Sequence, residues 1–176
     1  MLRRHKRGVT MNIAPKVQDY LAAQQIAYEV IPHPRTINSS ATAEAAHLPG
    51  ARLAKAVVLK DRTGYVLAVL PSNHHLALSQ LCEALHRRPL ELASESELRD
   101  LFADCDLGAV PPLGAAYGLP MIVEEMLVAQ PEVFFEAGDH EHVIRVTQNE
   151  FLRLTSDVPR AHFSRPDGTG GALWMQ

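Results

Sequence analysis

The chain has 176 residues, of which 47% are hydrophobic and 21% are charged, and its formal net charge is −3. This length and composition predict one globular domain with a hydrophobic core. The slightly acidic balance argues against a large nucleic-acid interface, and no apolar run approaches the roughly 18 residues that a membrane span needs. We therefore expect neither DNA nor a membrane as a partner, whereas a small contact with one strand end is compatible with the charge.

The domain boundaries follow from the composition of the two ends. Residues 1–14 are predicted to be a basic N-terminal tail, without the apolar segment of a secretory signal. Residues 15–157 carry the apolar patterning of a single domain, and residues 158–176 are predicted to be a polar, glycine-rich C-terminal tail. The isolated Cys82 and Cys105 fit neither a disulfide framework nor a zinc site, which favours a reducing, cytoplasmic location.

The first half of the chain predicts helices and strands in alternation. The segment PKVQDYLAAQQ predicts a helix that begins near Pro15, and IAYEVIPHP predicts a short strand that prolines stop. The alanine-rich segment NSSATAEAAHLPG predicts a helix with Ser39 or Ser40 as its N-cap. The runs RLAKAVVLKD and GYVLAVLP, which the turn DRTG joins, predict a β-hairpin.

The second half is richer in strands. The segment NHHLALSQLCEALHRR predicts an amphipathic helix, RPLELA a short strand, and SESELRDLF a helix that opens with a capping box from Ser94 to Glu97. The runs PMIVEEML, EVFFEAG and HVIRVT predict strands, and QNEFLRL predicts a final helical turn. This order, without regular βαβ units, predicts an α+β fold with a mixed, mainly antiparallel sheet.

Lys55 is unusual because it interrupts an apolar strand face. Alternation along LAKAVVL puts it on the same face as Leu53, Val57 and Leu59. A lysine in that position must reach a cavity mouth, pair with an anion, or extend its ammonium group to solvent. The pattern alone leaves two interpretations open, an edge strand with an extended lysine or a cation that lines a ligand pocket.

The loop GAVPPLG, from Gly108 to Gly114, combines residues that restrict and residues that free the backbone. Because its prolines cannot donate hydrogen bonds, the available amides lie on the entry side, at Gly108, Ala109 and Val110. Such amides can gather around a carbonyl or an oxyanion. On composition alone, a tight connection between elements is the alternative.

The histidines do not form an obvious metal site. His140 and His142 share a strand face at i, i+2 spacing, but they follow the turn signature of Gly138 and Asp139 and have no clear third ligand. We therefore interpret them as a surface pair on a hairpin. His33, between two prolines, either lines a pocket or closes a strand. No motif of an activated nucleophile or of a phosphate-binding glycine loop is present.

Taken in order, these segments resemble the YbaK/prolyl-tRNA-synthetase-associated domain family of free-standing aminoacyl-tRNA deacylases. The resemblance extends roughly from Lys16 to Leu154. Its most specific part is the strand AKAVVLK, which carries Lys55, followed later by a G-x-x-x-P loop from Gly108 to Pro112.

The resemblance implies a sheet curled into a partial barrel with flanking helices, in which the lysine and the loop face each other across a pocket. It implies hydrolysis of the ester that joins a wrong amino acid to the 3′ end of a tRNA, with no cofactor and no metal. The partner is then the acceptor end of an aminoacyl-tRNA, and an aminoacyl-tRNA synthetase is a further candidate partner. Catalysis is assigned to Lys55, Gly108, Ala109 and Val110. Substrate binding is assigned to His33, Lys55, Pro111, Pro112 and Gly138.

Two positions differ from the family pattern and keep a second function open. Ala56 follows the strand lysine where the alanine-specific branch has asparagine, and Pro111 stands where serine or threonine is common. The alternative to an editing hydrolase is a non-catalytic module of the same fold that binds an aminoacyl or nucleotide end.

Overall fold

The structure is a computed structural model that describes residues 13–168. Within this range the α-helices are α1 (Pro15–Ala23), α2 (Ser39–Ala45), α3 (Leu78–Leu85), α4 (Glu95–Leu101), α5 (Glu125–Val128) and α6 (Gln148–Leu154). The strands are β1 (Glu29–Pro32), β2 (Leu53–Asp61), β3 (Gly64–Pro71), β4 (His74–Leu76), β5 (Glu91–Leu92), β6 (Met121–Glu124), β7 (Glu132–Glu136), β8 (His142–Thr147), β9 (Arg160–Ala161) and β10 (Ser164–Pro166). Short 3-10 turns lie at Gly50–Arg52 and Gly114–Tyr117.

One mixed sheet organises the molecule, in the order β1-β8-β7-β2-β3-β6-β9, with β5 paired to β2. The pairs β1–β8, β8–β7, β2–β3 and β2–β5 are antiparallel, whereas β7–β2, β3–β6 and β6–β9 are parallel. Strands β4 and β10 form a separate antiparallel pair. The predicted mixed sheet with helices is thus confirmed. The strand order describes an open sheet with β1 and β9 at its edges, so its curling into a partial barrel stays a prediction.

The two faces of β2 pack into different parts of the core, as the predicted alternation requires. Ala54 and Val58 belong to the largest cluster of buried apolar side chains, beneath α1 and α6. On the other face, Leu53 packs with residues of α2 and β7, and Leu59 packs with residues of α3. Lys55 therefore lies on a face that apolar packing covers at both ends of the strand.

Local signals explain several element boundaries. The Ser94 hydroxyl accepts from the amide of Glu97, and the Glu97 carboxylate accepts from the amide of Ser94, so the predicted capping box is confirmed. The N-cap of α2 is Asn38, whose side chain accepts from the amide of Ala41 at 2.8 Å. The prediction of Ser39 or Ser40 as N-cap was wrong by one or two positions, because asparagine satisfies the first-turn amides as well as serine does.

Two predicted elements are shorter than expected. The helix predicted over NHHLALSQLCEALHRR begins only at Leu78, since His74–Leu76 pairs with the distant β10. The strand predicted over PMIVEEML ends at Glu124, where the chain turns into α5. In both cases a long-range strand pairing or a turn overrides the local apolar pattern.

Parts of both predicted tails pack into the fold. Ile13 and Ala14 are buried, while residues 1–12 lie outside the described residues. Of the predicted C-terminal tail 158–176, the part up to residue 168 forms β9 and β10 and buries Phe163 completely, so that boundary was too early. None of the helices within residues 13–168 has the length and apolar content needed to span a membrane.

Candidate active site

A cleft of about 780 Å³ opens on the face of β2 that carries Lys55. Its walls come from residues 37–40, from β2, β4 and β5, and from the single residues Leu78, Gly108 and Asp167. Apolar side chains of Val57, Leu59 and Leu76 form much of the lining. The fold therefore brings the predicted lysine and the first residue of the predicted loop to one concave surface.

Lys55 is half-buried in this cleft, and backbone carbonyls hold its ammonium group. Its Nζ donates to the carbonyl of His74 and, at 3.5 Å, to the carbonyl of Ser72. Burial lowers the pKa of Lys55, and the negative charge of Asp167 partly opposes this effect. Since an ammonium group has three donors, one donor is left without an acceptor among residues 13–168 and is available to a ligand.

Gly108 presents backbone to the cleft in a conformation that favours glycine. Its φ is +86°, and it is exposed. A Cβ at this position would lie 3.5 Å from Cε1 of His140, which is ordinary contact, so the constraint is the backbone conformation rather than space. Within the described chain the amide of Gly108 donates to no acceptor and can serve a ligand.

The rest of the loop differs from the predicted row of three free amides. The amide of Ala109 donates to the carbonyl of Asp106 at 3.1 Å, and its side chain is fully buried. The amide of Val110 has no acceptor in the described part of the chain, although its side chain is buried. Pro111 and Pro112 are also buried. The amides of Gly108 and Val110 are therefore without an acceptor among residues 13–168, and of the two residues only Gly108 lines the cleft, while Ala109 has a structural role.

His140 supports the loop from behind, which the sequence interpretation of a surface pair missed. It is 7% exposed, and its Nε2 donates to the carbonyl of Leu107 at 2.7 Å. His142 instead contacts the carboxylate of Asp139, with Nδ1 at 2.8 Å from Oδ2. The two imidazoles have separate partners, and residues 13–168 contain no group of three potential metal ligands. The surface interpretation is thus wrong for His140.

Of the predicted binding residues, Lys55 lines the cleft, whereas His33, Gly138 and the buried Pro111 and Pro112 do not. His33 is buried, and its Nδ1 donates to the carbonyl of Pro34 at 2.8 Å. Gly138 has a φ of +111°, and a Cβ there would lie only 2.6 Å from the Cβ of Ala14. Because any side chain here would collide with Ala14, packing alone accounts for a glycine at this position. Substrate binding by these four residues stays a prediction.

The cleft also contains residues that sequence reasoning did not single out. Asn38 lines it while capping α2, and Asp167 lines it from the far end of the described chain. The N-cap pattern could have identified Asn38. No local signal could have placed Asp167, because its position depends on the pairing of β10 with β4.

Comparison with known families agrees with this geometry. The profile described as the aminoacyl-tRNA editing domain matches residues 33–154, more than half of the chain. The chain belongs to the aminoacyl-tRNA editing domain family. This membership confirms the resemblance inferred from the lysine strand and the G-x-x-x-P loop, and it places the protein among the domains of translational quality control.

Solved structures share the fold of this editing domain. A candidate trans-editing enzyme for prolyl-tRNA synthetase is 26% identical, with a TM-score of 0.75 over 90% of this chain and 99% of that one. A hypothetical protein is 19% identical, with a TM-score of 0.74 over 85% and 99% of the two chains. A candidate signal transduction protein from Marinobacter aquaeolei VT8 is 21% identical, with a TM-score of 0.67 over 85% of this chain and 30% of that one. No curated protein sequence matches the chain.

Proposed function

We propose that this editing domain is a trans-editing hydrolase that deacylates mischarged aminoacyl-tRNA. The observation that carries the proposal is the meeting of Lys55 and Gly108 in one cleft on a chain of this family. One residue contributes a partly desolvated cation, and the other contributes a backbone donor in a fixed conformation. An aminoacyl ester at the end of a polyanionic strand needs both kinds of group.

In this proposal Lys55 anchors the acceptor end. Its ammonium group is held by two carbonyls and has one donor left, which suits a phosphate or ribose oxygen of the terminal nucleotide. Since the group is partly desolvated, its attraction to an anion exceeds that of a solvated surface lysine. Lys55 thereby positions the ester near the loop without reacting itself.

The hydrolytic step needs no protein nucleophile. Water adds to the carbonyl carbon of the ester, and negative charge develops on the carbonyl oxygen. The tetrahedral species collapses when the bond between the carbonyl carbon and the ribose oxygen breaks. The ribose oxygen takes up the proton that the water releases, so the products are a free amino acid and a tRNA with a free terminal hydroxyl. The amides of Gly108 and Val110 are the candidate donors to the developing oxyanion.

A specific observation favours the alternative of a non-catalytic binding module. Pro111 removes both a hydroxyl and an amide from the loop, and the amide of Ala109 is already bonded to the carbonyl of Asp106. The loop therefore has fewer donors for an oxyanion than its composition suggested. A module of this kind would bind an aminoacylated end without releasing the amino acid.

The test is release of free amino acid from a panel of mischarged tRNAs. The panel begins with the proline-specific tRNA charged with noncognate amino acids, because the structural relative is named for prolyl-tRNA synthetase. The matched variants are Lys55→Ala and Lys60→Ala, since both lysines lie on β2 but Lys60 does not line the cleft and forms ion pairs with Glu91 and Glu97. Release by the parent and by Lys60→Ala, but not by Lys55→Ala, supports the hydrolase.

Binding of the mischarged tRNAs without release from any of them would contradict the hydrolase and support the module. Addition of a purified aminoacyl-tRNA synthetase to the same assay tests for the further partner. A synthetase that delivers the substrate should raise the rate of release at low tRNA concentration.

A further inference from the structure

The C-terminal segment of residues 160–168, here called the strap, forms part of the cleft although it lies beyond the family match at residues 33–154. Its strand β9 pairs with the edge of β6, and its strand β10 pairs with β4. Between the two strands, Phe163 is fully buried against the apolar side of α3. The strap is thus integrated into the fold by strand pairing and by a buried side chain.

A single buried carboxylate fixes the strap. Glu124 is 1% exposed, and one of its oxygens accepts from the amide of Phe163 and the hydroxyl of Ser164, each at 2.8 Å. Its other oxygen lies 2.9 Å from Nδ1 of His162. Ser164 in turn contacts Nδ1 of His74 at 2.9 Å. These bonds to an ionised acceptor hold the strap in register beside β4.

The strap places Asp167 in the cleft. The amide of Asp167 donates to the carbonyl of Asn73 at 2.9 Å, which fixes the backbone beside the β3–β4 turn. Its Oδ1 lies 3.4 Å from Nδ1 of His75, while its Oδ2 accepts from no group within residues 13–168. The side chain is 53% exposed and faces the same cleft as Lys55 and Gly108.

The two carboxylates that line the cleft differ in whether a basic side chain neutralises them. Its carboxylates are those of Glu91 and Asp167. Glu91 lies 3.5 Å from the ammonium group of Lys60 and is largely exposed. Asp167 has no lysine or arginine within ion-pair distance among the described residues. A negative charge inside the cleft is therefore available to a cationic group of the ligand.

We propose that Asp167 binds the α-ammonium group of the aminoacyl ester. This inference rests on the proposed function and extends it to the substrate's own charges. The aminoacyl end carries a negative phosphate and a positive ammonium group, one on each side of the ester carbonyl. Lys55 meets the first and Asp167 meets the second, so the scissile ester lies between two charges of opposite sign, next to Gly108.

The direct test is binding of a non-hydrolysable probe, 3′-(L-alanylamino)-3′-deoxyadenosine, compared with its N-acetyl derivative. Acetylation removes the positive charge and adds an uncharged acetyl group, which is the same for the parent and every variant, and alanine is the smallest chiral side chain. The parent should bind the amine form about five- to tenfold more tightly, the range expected of a partly exposed charge-assisted hydrogen bond. In Asp167→Asn this preference should disappear, while affinity for the acetylated form stays unchanged.

The control variant is Glu91→Gln, which removes the other cleft carboxylate and should keep the parental preference. Asp167→Glu should restore part of the preference, which a merely structural role of the side chain would not do. Thermal unfolding of each variant checks that the fold persists. A parent that binds both forms equally, or an Asp167→Asn variant that keeps the parental preference, would overturn the inference.

Hydrolysis assays separate this inference from the proposed function. Nitrous acid converts the α-ammonium group of a mischarged tRNA to a hydroxyl, and the parent should release the resulting hydroxy acid more slowly than the amino acid. If the parent prefers the amine probe but releases nothing from any tRNA, the role of Asp167 is supported and the hydrolase is contradicted. If the parent is a hydrolase and Asp167→Asn discriminates the two esters as the parent does, only the role of Asp167 is contradicted.

Discussion

Glu136 makes the stability of the protein depend on pH in a predictable direction. This carboxyl lies at the end of β7 and is 4% exposed. One oxygen is 2.9 Å from the hydroxyl of Thr42, and the other has no partner in the described chain. Burial raises the pKa of Glu136 from 4.5 to about 7, and the charge of Asp139 adds to the rise while the Thr42 hydroxyl opposes it. The folded protein therefore favours the protonated acid.

The size and sign of the effect follow from linkage. Because the pKa of Glu136 is higher in the folded than in the unfolded chain, the protonated acid stabilises the fold fully below pH 4.5, and this contribution is lost as pH rises through 7. The difference between the two pKa values corresponds to about 3 kcal/mol of unfolding free energy between about pH 4 and pH 8. Glutamine keeps the shape and cannot ionise, so Glu136→Gln should remove this loss.

The measurement is urea unfolding of parent and variant at several pH values. The unfolding free energy of Glu136→Gln should exceed that of the parent by an amount that grows by about 3 kcal/mol across this range. Because the variant and the parent contain the same histidines, the contribution of histidine titration to the unfolding free energy cancels in this difference. Glu44→Gln, at an exposed position of α2, makes the same chemical change and should give a constant difference. A constant difference for Glu136→Gln as well would refute the reasoning.

Three further outcomes follow from the site and the strap. Lys55→Ala should leave the melting temperature unchanged or raised, because a desolvated charge is removed, yet lower amino acid release at least about tenfold; full release would contradict its role. Gly108→Ala and Gly118→Ala both place a Cβ at positive φ, so each should cost about 1 kcal/mol in urea unfolding, but only the first should slow single-turnover hydrolysis. Equal rates would make the loop a plain connection. Glu124→Gln should cost about 1–2 kcal/mol and speed amide exchange at Phe163, since the strap loses an ionised acceptor; unchanged exchange would show that other contacts hold the strap.

Local sequence signals predicted the centre of the fold correctly. The β2–β3 hairpin follows from alternating apolar residues around a short turn, and the capping box at Ser94 needs only neighbours in the chain. The sequence failed where distant segments decide the conformation. His74 and His75 extend as β4 because β10, some ninety residues later, pairs with them. A helix pattern cannot reveal that pairing.

The residues of the candidate site could be predicted where they depart from the usual pattern of their own segment. Lys55 is a charge on an apolar face, and Gly108 opens an unusual glycine-proline loop, so both were found. His140 was misjudged because the turn signal at Gly138 and Asp139 is typical of exposed hairpins, whereas the loop at Leu107 covers this one. Asp167 is an ordinary residue for a surface turn, so nothing in its own segment distinguishes it. Its place in the cleft comes entirely from tertiary pairing.

The hydrogen bond between His140 and the carbonyl of Leu107 has a consequence for protein engineering. The conformation of the glycine-proline loop is not fixed by its own residues alone, because the imidazole of His140, from the β7–β8 connection, holds the peptide just before Gly108. Transplanting the loop alone onto another scaffold would leave that peptide free to rotate, and with it the direction of the Gly108 amide. A working graft would have to move two pieces that lie more than thirty positions apart in the chain, as a matched pair.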